Sequence, residues 1–276
     1  MKYKIVVDSS ANMFAFEGID FDYVPLKIVT DEKEYVDDDA LDIPGMVEDL
    51  KAYKGRSGSA CPNAMEWLEA FGDADIVFGI TITGTLSGCH NSGEAAAREY
   101  EQMYPGRKVH MIDSLSTGPE MQLLAEKIRE LMLKEHSYES MVRMIEEYGK
   151  HTHLLFCLES LTNLSRNGRV SPAMAAAAGV LGIRVVGKAS ERGELEQVHK
   201  CRGEKKALLC MYGAMKKEGY KGGRVRIAHC FNQSAADELR GMIREEYPKA
   251  DIEITVCGAL CSFYAEKGGL LVGYED

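Results

Sequence analysis

Four short stretches of this 276-residue chain carry the residue types that can hold a small anion: Asp8-Ser9-Ser10, Ser57-Gly58-Ser59, Thr83-Gly84-Thr85-Leu86-Ser87-Gly88 and Asp113-Ser114-Leu115-Ser116. Hydroxyls are neutral hydrogen-bond donors, and helix N-termini add unpaired N–H groups with partial positive charge. Loops of this kind therefore suit an anion such as a carboxylate, without a permanent counter-charge. Taken singly, each loop also reads as an ordinary Ser/Thr/Asp helix cap.

Other chemistries find less support. Gly182-Ile183-Arg184-Val185-Val186-Gly187-Lys188-Ala189 approaches a phosphate-binding loop but lacks the Ser/Thr that would ligate Mg²⁺, and its middle residues are β-formers. The Asp37-Asp38-Asp39 run reads as a solvated or capping loop, since consecutive carboxylates do not converge on a metal. His151 and His153 lack a nearby third ligand, and Cys257 and Cys261 lack a second pair, so a zinc site is not expected. No G-x-S-x-G elbow is present. A stand-alone serine acyl hydrolase or small-carboxylate enzyme would need a base for Ser87, for which His90 is the neighbour in sequence.

The elements that must position these loops follow from hydrophobic periodicity. Strands are predicted at Lys2 to Val7, Pro25 to Thr30, Asp75 to Thr81 and Lys108 to Ile112. Helices are predicted at Ile43 to Tyr53, through Trp67 and Leu68, at Asn91 to Tyr104, and as a pair over Gly118 to Lys150 broken near Ser137. Strands alternating with helices imply a parallel, Rossmann-like sheet with ligands outside the carboxyl ends of its strands. From His153 the pattern changes to strands at Leu154 to Cys157 and Arg184 to Val186, a hairpin at Ser190-Glu191-Arg192-Gly193 into Glu194 to His199, and then alternating helices and strands to Val256. An α/β fold is expected: an N-terminal parallel-sheet domain over 1–155 and a C-terminal α+β domain over 156–276.

Composition narrows the partners. Lys and Arg number 33 against 43 Asp and Glu, a net charge of −10, with no basic stripe, which argues against nucleic acid and anionic membranes. No apolar run reaches the roughly 20 residues of a transmembrane helix, the first residues do not form a signal peptide, and the eight cysteines form no C-x-x-C pair. A cytoplasmic protein with free thiols is the expectation.

The same loops resemble the DegV family of bacterial fatty-acid-binding proteins, in order along nearly the whole chain. Val7-Asp8-Ser9-Ser10-Ala11-Asn12-Met13 is similar to the family's D-S-[TS]-x-[DN]-[LM] opening. Ser59-Ala60-Cys61-Pro62-Asn63 stands at its T-S-Q-P-S, and Leu86-Ser87-Gly88-Cys89 at its L-S-G-T. Asp113-Ser114-Leu115-Ser116-Thr117-Gly118 stands at D-S-x-x-[SA]-x-G, and Leu158 to Val170 at the stretch ending in G-R-[IV].

The resemblance implies one long-chain fatty acid held between two domains, with no other cofactor. Its carboxylate would lie at Ser59 and Ser87, with Gly88, Ser9 and Ser114 from the neighbouring loops. Tyr264 stands where the family has a head-group histidine. A tyrosine donates one hydrogen bond but is not a cation at neutral pH. The Ala175 to Gly179 helix, Leu181, Ile183 and the Phe156/Leu158 strand are candidates for the tail's lining. The resemblance further implies a non-catalytic subunit that presents its ligand to a dihydroxyacetone-kinase-like, ATP-dependent kinase, with Arg169 and Arg202 matching arginines linked to partner docking.

Overall fold

A computed structural model describes residues 1–134, 136–178 and 182–276. In the first half the elements are β1 (Tyr3–Asp8), β2 (Asp20–Val24), β3 (Lys27–Thr30), β4 (Glu34–Val36), α1 (Ile43–Ala52), β5 (Ser57–Ala60), α2 (Ala64–Phe71), β6 (Ile76–Thr81), α3 (Cys89–Met103), β7 (Lys108–Asp113), α4 (Pro119–Leu133) and α5 (Tyr138–Gly149). In the second half they are β8 (Thr152–Leu158), α6 (Thr162–Arg166), α7 (Pro172–Ala178), β9 (Ile183–Ala189), β10 (Leu195–Arg202), α8 (Glu204–Lys217), β11 (Val225–His229), α9 (Gln233–Glu246), β12 (Ile252–Val256), α10 (Ala259–Ala265) and β13 (Leu270–Glu275).

Among the described residues the strands form three sheets. The first is fully parallel in the order β2-β1-β6-β7, and the second is mixed in the order β10-β9-β8-β13-β11-β12. The expected α/β class, with a parallel N-terminal sheet and a mixed C-terminal one, is what the chain adopts. A small antiparallel sheet, β4-β3-β5, completes the first half. The loop expected over residues 55–62 instead contains β5, whose Ser59 pairs with Ile28. Ser57-Gly58-Ser59 therefore does not follow a parallel strand as the other three Ser/Gly loops do. The near-match to a phosphate loop lies largely within β9, and residue 155 falls inside β8.

Strand β1 shows why the parallel sheet forms. Ile5, Val6 and Val7 are fully buried, but the side-chain period of two sends Ile5 and Val7 into one core with Met121, Leu124 and Ile128 of α4, and Val6 into another with Trp67 and Phe71 of α2. Ser9-Ser10, Thr83 to Gly88 and Ser114 to Ser116 consequently emerge together at the carboxyl ends of β1, β6 and β7. Helix α4 is buried almost continuously from Pro119 to Ala125 and packs on both large sheets, touching β1 and β6 on one side and β8, β11 and β13 on the other. No helix among the described residues is long and apolar enough to cross a membrane.

Candidate functional site

A cavity with about 800 Å³ of empty space, part of it open to solvent, lies between the carboxyl ends of the parallel sheet and one face of the mixed sheet. Alternate residues of β8, namely Leu154, Phe156 and Leu158, face it, while Leu155 and Cys157 point into the core behind. Leu26, Ile82 and Leu86 form the wall from the first half. Phe156 and Leu158 are where the sequence placed them. Ala175, Ala176 and Ile183 are not in this wall, and Gly179 and Leu181 lie outside the described residues.

Polar groups interrupt this apolar wall. Ser59 and Tyr264 share a hydrogen bond of 2.7 Å between their hydroxyls, Ser87 lines the same cavity, and the Arg169 guanidinium stands 6.0 Å from the Tyr264 ring centre. Ser59, Ser87 and Tyr264 thus line one cavity. Arg169 joins them: it is half-buried in the cavity wall, donating to the Asn167 carbonyl, instead of standing free on the surface. It supplies the positive charge that Tyr264 lacks. Arg202, at the end of β10, is exposed and away from the cavity.

The other three predicted residues have different places. Ser9 is fully buried below the cavity, where its hydroxyl donates to Asp37 Oδ2 at 2.9 Å and accepts the Leu26 N–H at 2.9 Å. Its one proton is committed to a buried carboxylate, and unlike Ser87 the residue does not line the cavity. Ser114 accepts the Ser116 N–H at 3.1 Å and forms the turn, while Ser116 and Thr117 line the cavity in its stead. Gly88 is the N-cap of α3 and faces Cys61 on the outer side of the loop.

Asp37 explains how Tyr264 is positioned. Helix α10 carries Tyr264, and its first N–H groups are held by the first half of the chain: Ala259 and Leu260 donate to Asp37 at 2.7 and 3.1 Å, and Gly258 donates to Asn12 Oδ1 at 2.7 Å. Of the two readings open for the Asp run, capping is correct for Asp37, which has no exposed surface, and burial pushes its carboxyl up to about 6. Asp8 is also buried and shifted up to about 6, and accepts the Ile82 N–H at 2.7 Å to fix the start of the Thr83 loop. Helix α10 had no expectation attached to it. Gly258 before the apolar Ala259-Leu260 was its signal, but the acceptors that cap it lie more than 200 residues away.

The halves also meet through the hairpin between β9 and β10. Thr83 Oγ1 donates to the Gly193 carbonyl at 3.1 Å and Thr85 Oγ1 to the Arg192 carbonyl at 2.6 Å. Gly193 adopts φ +73°, and a Cβ there would collide with the Thr83 side chain.

The arrangement favours binding over hydrolysis. His90 Nδ1 pairs with Thr81 Oγ1 at 3.3 Å, and the Ser87 hydroxyl donates to Cys89 Sγ at 3.2 Å. Ser87 has no base hydrogen-bonded to it among the described residues, as a nucleophile requires. No group of three His, Cys, Asp or Glu residues among the described residues is placed to hold a metal. His151 and His153 instead both pair with Asp276, at 2.9 and 3.0 Å.

Comparison with known proteins agrees with this geometry. A DegV domain-containing protein of Streptococcus pneumoniae is 44% identical over 279 residues, covering 100% of this chain and 99% of its own. The crystal structure of the Streptococcus pneumoniae Fatty Acid Kinase (Fak) B3 protein loaded with linoleic acid superposes with a TM-score of 0.98 at 44% identity, covering 100% of this chain and 99% of that one. A DegV family protein from Eubacterium eligens loaded with heptadecanoic acid gives a TM-score of 0.97 at 43% identity, with 99% of each chain covered. A family model described as an uncharacterised protein of the DegV family matches residues 2–275, and the chain belongs to that family.

Proposed function

We propose that the protein binds one long-chain fatty acid, with the acyl tail along the β8 wall and the carboxylate at Ser59, Ser87, Tyr264 and Arg169. The observation that carries this reading is the form of the cavity: a wall rich in leucines with one phenylalanine, a few hydroxyls among them, and one guanidinium beside the Ser59–Tyr264 pair. An apolar site with few convergent polar groups suits an amphipathic ligand with one charged end. Burying a tail of about 14 methylenes at about 0.8 kcal/mol each offers roughly 11 kcal/mol before ordering costs, enough for micromolar binding or better. The fatty acids held by the two solved relatives support the ligand class.

On this reading the protein is a cytoplasmic, non-catalytic subunit. It presents the carboxylate to an ATP-dependent fatty-acid kinase of the dihydroxyacetone-kinase type, which makes the acyl phosphate. Exposed Arg202 is available for docking that partner, whereas Arg169 belongs to the head group. We put the boundary between the two domains at the turn entering β8, a few residues before the expected 155, with the ligand between them. Titration of delipidated protein with oleate and with methyl oleate tests the site. Oleate should bind about tenfold or more tightly, because the ester lacks the charge that the donors recognise; equal affinity would contradict a carboxylate site.

A further inference from the structure

We propose that Cys61 is a site of oxidative modification with Cys89 as its resolving partner, so that a hydroperoxide closes a disulfide tying the Ser59 segment to the Ser87 loop. The two cysteines stand in matching places, each two residues beyond a cavity hydroxyl. Cys61 is exposed and Cys89 is buried beside it. The Cys61 sulfur lies against the start of the 15-residue helix α3, where a Cβ on Gly88 would come within 3.1 Å of it. Gly88, the N-cap, has no side chain to offer that helix start an acceptor.

The surroundings make the Cys61 sulfur the nucleophile. Its thiol is held down at about 6, chiefly by the neighbouring Cys89 thiol, with the Ser92 hydroxyl and the Gly88 N–H adding to this against partial burial. Burial pushes Cys157, Cys230 and Cys261 the other way, to between about 11 and about 12, and Cys89 and Cys257 well above the ordinary value. Burial likewise raises Cys201 to about 12. At neutral pH the thiolate at Cys61 is therefore selective among these thiols.

The chemistry balances. The Cys61 thiolate attacks one peroxide oxygen, displacing hydroxide, which is protonated to water, and becomes a sulfenic acid. The Cys89 sulfur then attacks the Cys61 sulfur, forming the S–S bond and releasing the sulfenic hydroxyl as a second water with the Cys89 proton. Two thiols lose two electrons and the peroxide gains them.

A consequence for binding rests on the fatty-acid reading above. In the reduced protein the Ser87 hydroxyl donates to Cys89 Sγ at 3.2 Å and accepts the Cys89 N–H at 3.3 Å. A disulfide at Cys89 moves that sulfur toward Cys61 and with it the Ser87 hydroxyl. Oxidation should therefore weaken carboxylate binding by about tenfold.

The test treats the reduced full-length protein with hydrogen peroxide at pH 7 and reads the denatured mass, the cross-linked peptides and oleate affinity. The expected result is a loss of about 2 Da, a Cys61–Cys89 peptide pair, and about tenfold weaker oleate binding that a thiol reductant restores. Cys61→Ser should bind oleate as the reduced parent does and keep that affinity after peroxide. A gain of about 32 Da at Cys61 without a cross-link, or cross-linking of a different pair, would overturn the assignment of Cys89. A Cys61–Cys89 disulfide with unchanged oleate affinity would overturn the link to the site. Failure of the reduced protein itself to take up oleate would count against the fatty-acid reading and leave the cross-link result to stand or fall separately.

Discussion

Tyr264 and Ser59, 205 residues apart in the chain, join hydroxyl to hydroxyl at 2.7 Å across the two halves of the molecule. One hydroxyl comes from the small antiparallel sheet and the other from a helix whose N-terminus is held by Asp37 and Asn12. Neither depends on a permanent charge, so the pair can turn both O–H groups toward an incoming carboxylate. Tyr264→Phe keeps the ring and its packing on Phe263 but removes one donor. We expect oleate affinity to fall about tenfold with stability changed by less than about 1 kcal/mol, measured by titration and by denaturant unfolding. An unchanged affinity would place the carboxylate elsewhere.

Arg169 and Arg202 should separate cleanly. Arg169→Ala removes the guanidinium beside Tyr264 and should weaken oleate binding by about tenfold or more, since a charge-assisted contact is lost. Arg202→Ala, at an exposed strand end, should leave oleate affinity within about twofold and reduce phosphorylation of the bound acid by a fatty-acid kinase. Equal effects of the two substitutions on affinity would refute this division of roles.

Gly193→Ala tests the contact between the β9–β10 hairpin and the Thr83 loop. A side chain there must accept φ +73° and displace Thr83, so a loss of about 1–3 kcal/mol in denaturant unfolding is expected. The same change at Gly168, which also has positive φ but nothing near it, should cost less.

The legible part of the molecule is the part whose pattern is local. Ile5-Val6-Val7 ahead of Asp8-Ser9 announces a parallel strand and the loop at its carboxyl end, and the spacing of Ile43, Met46, Val47 and Leu50 announces α1. Ser59 and Ser87 stood out in the sequence because short motifs around them resemble a family. Ser9 and Ser114 were misplaced because a hydroxyl turned into the protein and one turned into a cavity read alike in sequence; only Asp37, Leu26 and Ser116 as partners decide it. Strand β5 was hidden because Ser57-Gly58-Ser59-Ala60 has no β-branched or aromatic residue, and its pairing with β3 overrides that weak propensity. Arg169 looked like a surface charge because nothing local reveals that Tyr264 lies beside it.

Asp37 gives the account a pH dependence. Burial raises its carboxyl to about 6 in the folded protein from an ordinary 3.8. Between those values the folded chain keeps a proton that the unfolded chain has lost. Its contribution to stability is therefore full below about pH 4 and is lost as the pH rises through 6. Relative to Asp37→Asn, the parent should lose up to about 3 kcal/mol of unfolding free energy between pH 4 and pH 7. A parent that instead gains on the variant over this range would show the three donors to Asp37 outweighing burial.

The central claim is that a fatty acid occupies the cavity between the sheets, and native mass spectrometry of the purified, untreated protein tests it most directly. The native mass should exceed the denatured mass by that of one long-chain fatty acid, recovered from the same sample by lipid extraction. A native mass equal to the denatured one, in a protein that also fails to take up added oleate, would contradict the claim.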